Sequence, residues 1–170
     1  MVAQVGPSPI YREITLSNTM LEAERFLQER GIPYRLIELT DRAMTVADVL
    51  RFSKGDFPAE EVCKTVIMRD DSDGLYAFML VGADRVDFLK AKRLVGKKLR
   101  VASPEEVRAS AGVDPGAVCP LTLCIPLTID ERVLKLARIN FGSGHHLHGI
   151  EMATADLLRA VPHTVADVAQ

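Results

Sequence analysis

The sequence predicts an α+β fold: a mixed, curved, barrel-like β-sheet surrounded by helices. Three observations carry this expectation. Apolar runs of strand length mix with amphipathic stretches, without the strict strand–helix–strand alternation of a parallel sheet protein. Two runs, Val62–Arg69 and Leu75–Val81, are separated only by Asp70-Asp71-Ser72-Asp73-Gly74, which has the turn chemistry of a hairpin. The 170 residues, 48% apolar and 26% charged, have the size and composition of one globular domain, which excludes disordered, collagen-like and coiled-coil chains. Residues 1–16 are expected as a lead-in, 17–162 as a single domain and 163–170 as a loose tail.

The elements follow in chain order. Thr19-x-x-Glu22 has the pattern of a capping box, so a first helix is expected from near Thr19, with Met20, Ala23, Phe26 and Leu27 on one side. Gly31 and Pro33 end it. Tyr34–Leu39 reads as a strand. Thr45-x-x-Asp48 opens a short helix carrying Val46, Val49 and Leu50, and a helical turn follows Pro58. After the hairpin, Val86–Val95 is expected as helix and Leu99–Ala102 as a short strand. Ser103-Pro104-Glu105-Glu106 is the clearest helix start: Ser caps, Pro fills the first turn and Glu reaches back. That helix stops at Gly112. Two prolines and a glycine keep residues 113–120 out of helix and central strand. Leu121–Leu127, Val133–Phe141 and Leu147–Met152 are expected strands, the last two flanking a glycine-rich link, and Thr154–Val161 is a closing helix.

Composition narrows the function. Twenty-one basic against 23 acidic residues give a net charge of −2, which argues against a protein that coats nucleic acid without specificity. Aromatic residues are 5% and Trp is absent, so an aromatic base-stacking platform is not expected. Three cysteines, Cys63, Cys119 and Cys124, form no CxxC pair and read as reduced thiols. The first residues lack the basic and apolar regions of a signal peptide, and no apolar run reaches about 18 residues. A cytoplasmic location is therefore expected. No nucleophile elbow, Walker A motif or dinucleotide fingerprint is present.

Four features could carry chemistry. Lys64 stands among apolar neighbours in a strand-like run. It either lies on the outer face of an edge strand or projects its ammonium into a pocket, where it would stabilise a developing oxyanion. The stretch Gly112–Pro120 is a stiff loop that allows close backbone approach to a ligand, and it would also serve as a plain connector. Phe141–Gly149 holds His145, His146 and His148. If Leu147 begins a strand, His146 and His148 share one face and His145 points the other way. No carboxylate or cysteine stands at a neighbouring ligand spacing, so a pocket-lining imidazole is preferred to zinc, with a solvated histidine cluster as the alternative, and no metal or cofactor is expected. Finally, 85–100 carries seven Lys/Arg against the single acid Asp87, either a solvated helix face or a phosphate-binding surface.

In order and spacing these pieces resemble the editing-domain family of YbaK and of the insertion domain of bacterial prolyl-tRNA synthetase, over about Thr45 to Val161. Val62-Cys63-Lys64-Thr65 is similar to the strand with the family's catalytic lysine. Gly116-Ala117-Val118-Cys119-Pro120 is similar to its G-x-x-x-P loop, with Cys119 where many relatives have Ser. Gly142–Met152 is similar to the third side of its pocket. Val81-Gly82-Ala83-Asp84, with Lys90 downstream, and His146-Leu147-His148-Gly149 resemble the synthetase branch, with His148 in place of its usual threonine. The acidic residue of YbaK-like proteins is Gly149 here, which weakens a cysteine-specific reading.

The resemblance implies a free-standing aminoacyl-tRNA deacylase that removes a small wrong amino acid, Ala favoured, from tRNA(Pro). Action on Cys-, Ser- or Thr-tRNA, or a non-catalytic tRNA- or synthetase-binding module, are the alternatives. Lys64 would be catalytic. Gly116, Ala117, Val118, Cys119 and Pro120 would hold the aminoacyl group or its oxyanion. His146, Gly142, Ser143, Gly144 and Asp84 would form the pocket. Lys90, Lys92, Arg93, Lys97 and Lys98 would contact tRNA. The implied partners are the acceptor end of aminoacyl-tRNA and prolyl-tRNA synthetase, with no membrane; oligomeric state is left open.

Overall fold

A computed structural model describes residues 20–170. The lead-in 1–16 and the Thr19 cap lie outside the described residues. The first helix, α1 (Glu22–Glu29), starts with Glu24 reaching back to the Leu21 N–H at 3.3 Å. It is followed by β1 (Arg35–Glu38) and α2 (Val46–Phe52), whose cap Thr45 accepts from the Asp48 N–H at 3.1 Å. A 3-10 turn at Ala59–Glu61 leads into the hairpin β2 (Cys63–Asp70) and β3 (Leu75–Val81). Next come α3 (Phe88–Val95), β4 (Leu99–Val101) and α4 (Pro104–Ala111). As the sequence indicates, Ser103 and Glu106 cap α4 reciprocally, and Gly112 closes it in the left-handed conformation. The chain ends with β5 (Leu127–Asp130), β6 (Arg138–Gly142), β7 (His148–Ala153), α5 (Thr154–Ala160) and β8 (Thr164–Ala166).

The α+β class is observed, but the strands divide into two sheets and neither closes into a barrel. One is antiparallel, in the order β1-β7-β6; the other is mixed, in the order β4-β2-β3-β5-β8. A single parallel bridge, Val62 to Asn140, joins them. β3 explains the second sheet. Its apolar run is buried on both faces: Ala77 and Met79 enter the main core with α1 and α5, and Phe78 and Leu80 enter a second core under α3. A strand covered on both sides loses polar alternation. Among the described residues, no helix is long and apolar enough to cross a membrane.

Three expectations are corrected. Leu121–Leu127 is not a strand; pairing starts at Leu127, where the chain comes alongside Ala77–Met79. Pro120 and Pro126 bracket the segment and lack the N–H a ladder needs, so Leu121 reaches the core from a loop. Val133–Phe141 splits into a 3-10 turn, Val133–Lys135, and β6. Residues 163–170 are not a loose tail. β8 pairs in parallel with β5, and buried Asp130 accepts from the Val168 and Ala169 N–H groups at 2.8 and 2.9 Å. These two bonds hold the end of the chain to the sheet, and a third, from the Arg132 N–H at 3.0 Å, orients the carboxylate locally.

The hairpin turn is held by another carboxylate. Asp70 accepts from the N–H groups of Ser72 and Gly74, from the Tyr76 hydroxyl and from Lys97. Hydrogen bonding from Gly74 foremost holds its pKa at about 2, against an ordinary 3.8. The carboxylate therefore stabilises the fold above about pH 4, and this contribution is lost as pH falls toward 2. Asp70→Asn is expected to lower Tm at neutral pH, with the gap to the parent narrowing between about pH 4 and 2. Thermal unfolding across that range checks it; a constant gap would remove Asp70 ionisation as the cause.

Candidate active site

The bridge between the sheets places the start of β2 beside the middle of β6, and a cavity of about 280 Å³ opens there. Its wall includes Cys63–Ile67 of β2, Asn140–Gly142 of β6, the three histidines, Gly149, and the entry to α2. Helix α2 buries none of its residues, yet its Val46 and Val49 face the cavity beside Met44. An apolar wall with a few polar groups is the usual make-up of a small-molecule site.

Lys64 is among the residues that line this cavity, and it is half-buried there. Its neighbour across the hairpin is Leu80, and among the described residues its ammonium has no hydrogen bond or ion pair. Burial pushes its pKa below the ordinary 10.5, Asp84 opposes that shift and Arg85 adds to it. Asp84 itself does not line the cavity; its carboxylate pairs with Arg132 at 3.1 Å. It acts on Lys64 through its field rather than as a pocket wall.

The Gly112–Pro120 loop reaches the wall through Pro115, Gly116 and Val118. Gly116 lies so close to the chain at Ala43–Met44 that a Cβ there would meet the Ala43 carbonyl oxygen at 2.5 Å. Ala117, Cys119 and Pro120 do not line the cavity. The Ala117 N–H is spent on Asp114 at 2.9 Å and its carbonyl accepts from Gly144. Cys119 faces the main core, where burial pushes its thiol up to about 11. An oxyanion site along the whole loop backbone is thereby reduced to Gly116 and Val118.

Gly142 does line the cavity; a Cβ on it would stand 2.6 Å from the Val118 carbonyl oxygen. Ser143 and Gly144 are structural instead. The Ser143 hydroxyl donates to the His148 carbonyl at 2.6 Å and accepts from the His145 N–H, and Gly144 takes a φ of +84°. This tight turn delays the strand to His148, so the expected alternation of histidine faces fails. His145, His146 and His148 all line the cavity. His145 stacks on His146 at 4.6 Å, and its Nδ1 lies 3.1 Å from that of His148. Because the Leu147 N–H donates to His145 Nδ1, that nitrogen is an acceptor. Burial first, then His148 and His146, push the His145 pKa down. Among the described residues no three His, Cys, Asp or Glu side chains group as metal ligands.

Two further polar side chains in the wall, Thr65 and Asn140, carry a buried atom without a partner. Neither was singled out from sequence, since Thr and Asn are common in strands and turns alike. Cys63 also borders the cavity, but burial pushes its thiol up to about 12, which leaves it protonated and a poor nucleophile.

The basic run divides. Lys90 donates to Asp167 and to the Ala169 carbonyl, and Lys97 pairs with Asp70; both hold the fold. Lys92, Arg93 and Lys98 remain exposed.

The sequence profile of an aminoacyl-tRNA editing domain matches residues 40–160. Among solved structures, hypothetical protein APE2540 is 30% identical, with a TM-score of 0.76 over 86% of this chain and 98% of that one. A candidate trans-editing enzyme for prolyl-tRNA synthetase is 26% identical, with a TM-score of 0.75 over 89% of this chain and 99% of that one. A candidate signal transduction protein from Marinobacter aquaeolei VT8, 20% identical with a TM-score of 0.61, shares the fold alone over 85% of this chain and 30% of its own.

The electrostatics of Lys64 can be read directly. Its side-chain NMR titration midpoint is expected below 10.5, lower still in Asp84→Asn and higher in Arg85→Gln. Identical midpoints in all three proteins would mean that the ammonium stands in water.

Proposed function

On the premise that the chain belongs to the aminoacyl-tRNA editing domain family, we propose that it acts in trans as a deacylase, hydrolysing the ester of a small wrong amino acid, alanine foremost, on tRNA(Pro). The observation that carries this is Lys64: a half-buried lysine lining an apolar cavity, with no ion pair among the described residues. The likeness to the candidate trans-editing enzyme supports the choice of tRNA(Pro) and prolyl-tRNA synthetase as partner. With charged tRNA as substrate, the cytoplasm is the expected location.

Ester hydrolysis moves negative charge onto the carbonyl oxygen as water adds to the carbonyl carbon. A cation held in a poorly solvated site stabilises that charge more strongly than one in water. Lys64, in its protonated form, does this. When the tetrahedral intermediate collapses, the bond to the ribose oxygen breaks, and that oxygen takes up the proton the water gives. The vicinal ribose hydroxyl positions the water, so the protein needs no nucleophile of its own. That agrees with the protonated state of Cys63.

Size selects the substrate. Met44, Val46 and Val49 on one side and the histidines on the other bound about 280 Å³, which must hold the aminoacyl group and part of the terminal nucleoside. Each extra methylene that fails to fit costs about 1–3 kcal/mol, so the proline ring is rejected more easily than alanine.

The direct test is deacylation of tRNA(Pro) charged separately with Ala, Cys, Ser, Thr and Pro. Ala-tRNA(Pro) is expected to be cleaved fastest and Pro-tRNA(Pro) spared. Lys64→Ala is expected to slow cleavage roughly 100-fold or more, with stability changed by less than about 1 kcal/mol. Equal rates in the mutant would overturn the role of Lys64.

Lys92, Arg93 and Lys98 are proposed as tRNA contacts. Lys98 lies three residues from cavity-lining Val101 along an extended chain, roughly 10 Å. Replacing all three by Ala is expected to flatten the log–log salt dependence of tRNA binding by roughly 2–3. An unchanged slope would put the phosphate contacts elsewhere.

A further inference from the structure

Three buried side-chain polar atoms among the described residues lack a hydrogen-bond partner: Thr65 Oγ1, Asn140 Nδ2 and Thr154 Oγ1. Two of the three, on Thr65 and Asn140, belong to residues that line the Lys64 cavity. A buried amide without a partner is costly, and it persists in a fold where something other than the fold satisfies it.

The placement of Asn140 is specific. On β6, Ile139 and Phe141 turn into the main core, so Asn140 shares the opposite face with Gly142. Directly across on β7 stands Glu151, whose carboxylate could have taken the amide. It is held instead by Arg138, at 3.0 Å, and by Arg35. Gly149 leaves room on the same face: a Cβ there would come within 3.2 Å of Asn140 Oδ1. The bridge from Asn140 to Val62 sets this residue two positions from Lys64 on the adjoining strand.

An amide Nδ2 donates and does not accept. Lys64, two residues from the bridge on β2, also only donates. In an aminoacyl ester, the α-ammonium has nothing to accept with, whereas the carbonyl oxygen accepts and gains charge during hydrolysis. We infer that Asn140 donates from its amide to the carbonyl oxygen of the bound ester, as the neutral partner of the Lys64 ammonium in stabilising the oxyanion. The inference rests on the deacylase reading above. It makes Asn140 a catalytic residue and moves most of the oxyanion site from the glycine-proline loop to β2 and β6.

The test is Asn140→Leu, nearly isosteric and without donors, with Asn140→Ala as a second variant and Thr154→Val as control. Deacylation of Ala-tRNA(Pro), thermal unfolding and affinity for 3′-alanylamino-3′-deoxyadenosine are measured for each. The expected result is kcat lowered roughly 100- to 1000-fold in both Asn140 variants. Asn140→Leu keeps or raises Tm, because it removes a buried unpartnered amide. Affinity for the uncharged-carbonyl analogue stays within about threefold, and Thr154→Val keeps the parent rate. Rates within about threefold of the parent would overturn the inference. So would a parallel loss of rate and Tm in both variants, which marks a structural role, or a loss of analogue affinity equal to the loss of rate, which marks ground-state binding. A parent protein that deacylates nothing overturns the deacylase reading and this inference with it.

Discussion

The cavity exists because polypeptide backbones approach one another without intervening side chains. Gly116 lies against the carbonyl of Ala43, and Gly142 against that of Val118, at separations where a Cβ cannot fit. These contacts draw the glycine-proline loop, the entry to α2 and the end of β6 around the beginning of β2. The Ala117 carbonyl, bound by the Gly144 N–H, ties the same loop to the histidine turn. A methyl group at either glycine would force these segments apart and change the shape of the space between them.

The second constraint is electrostatic. Lys64 lines the cavity without an ion pair among the described residues, and burial lowers its affinity for a proton. Asp84 limits that loss from a distance while its own charge is balanced by Arg132. A direct Lys64–Asp84 pair would satisfy the ammonium in the resting protein and leave it less available to a ligand. The same logic applies to Asn140, left without a partner although Glu151 stands across the sheet. Groups kept unsatisfied in the free protein are the ones available to a substrate.

Much of the fold was legible because local chemistry and tertiary demand agree. The Ser103 cap, the Asp- and Gly-rich hairpin turn and the Thr45 cap all stand where the sequence indicates. The misreadings have physical causes. Leu121–Ile125 is apolar enough for a strand, but flanking prolines deny it a ladder and it packs as loop. Thr164–Ala166 is unremarkable in sequence, and it becomes an ordered strand by pairing with Thr128–Asp130, while the Asp130 carboxylate holds the Val168 and Ala169 N–H groups that follow it. Lys90 and Lys97 share the basic run with Lys92 and Lys98, but buried or nearby carboxylates on distant segments claim them.

By itself the sequence determined the α+β class, the membership of an editing family, and the candidacy of Lys64, Gly116, Gly142 and His146. These depend on residue type, spacing and local turn chemistry, which a linear chain carries. The tertiary structure decided the rest: that Lys64 lines the cavity with no ion pair among the described residues, that His145 and His148 join His146, that Cys119 and Asp84 stand aside, and that Asn140 enters the wall. Each of these is a statement about which side chain on another segment is within reach of a charge or a hydrogen bond. Partners so distant in sequence meet only after the two sheets close on each other at Val62 and Asn140.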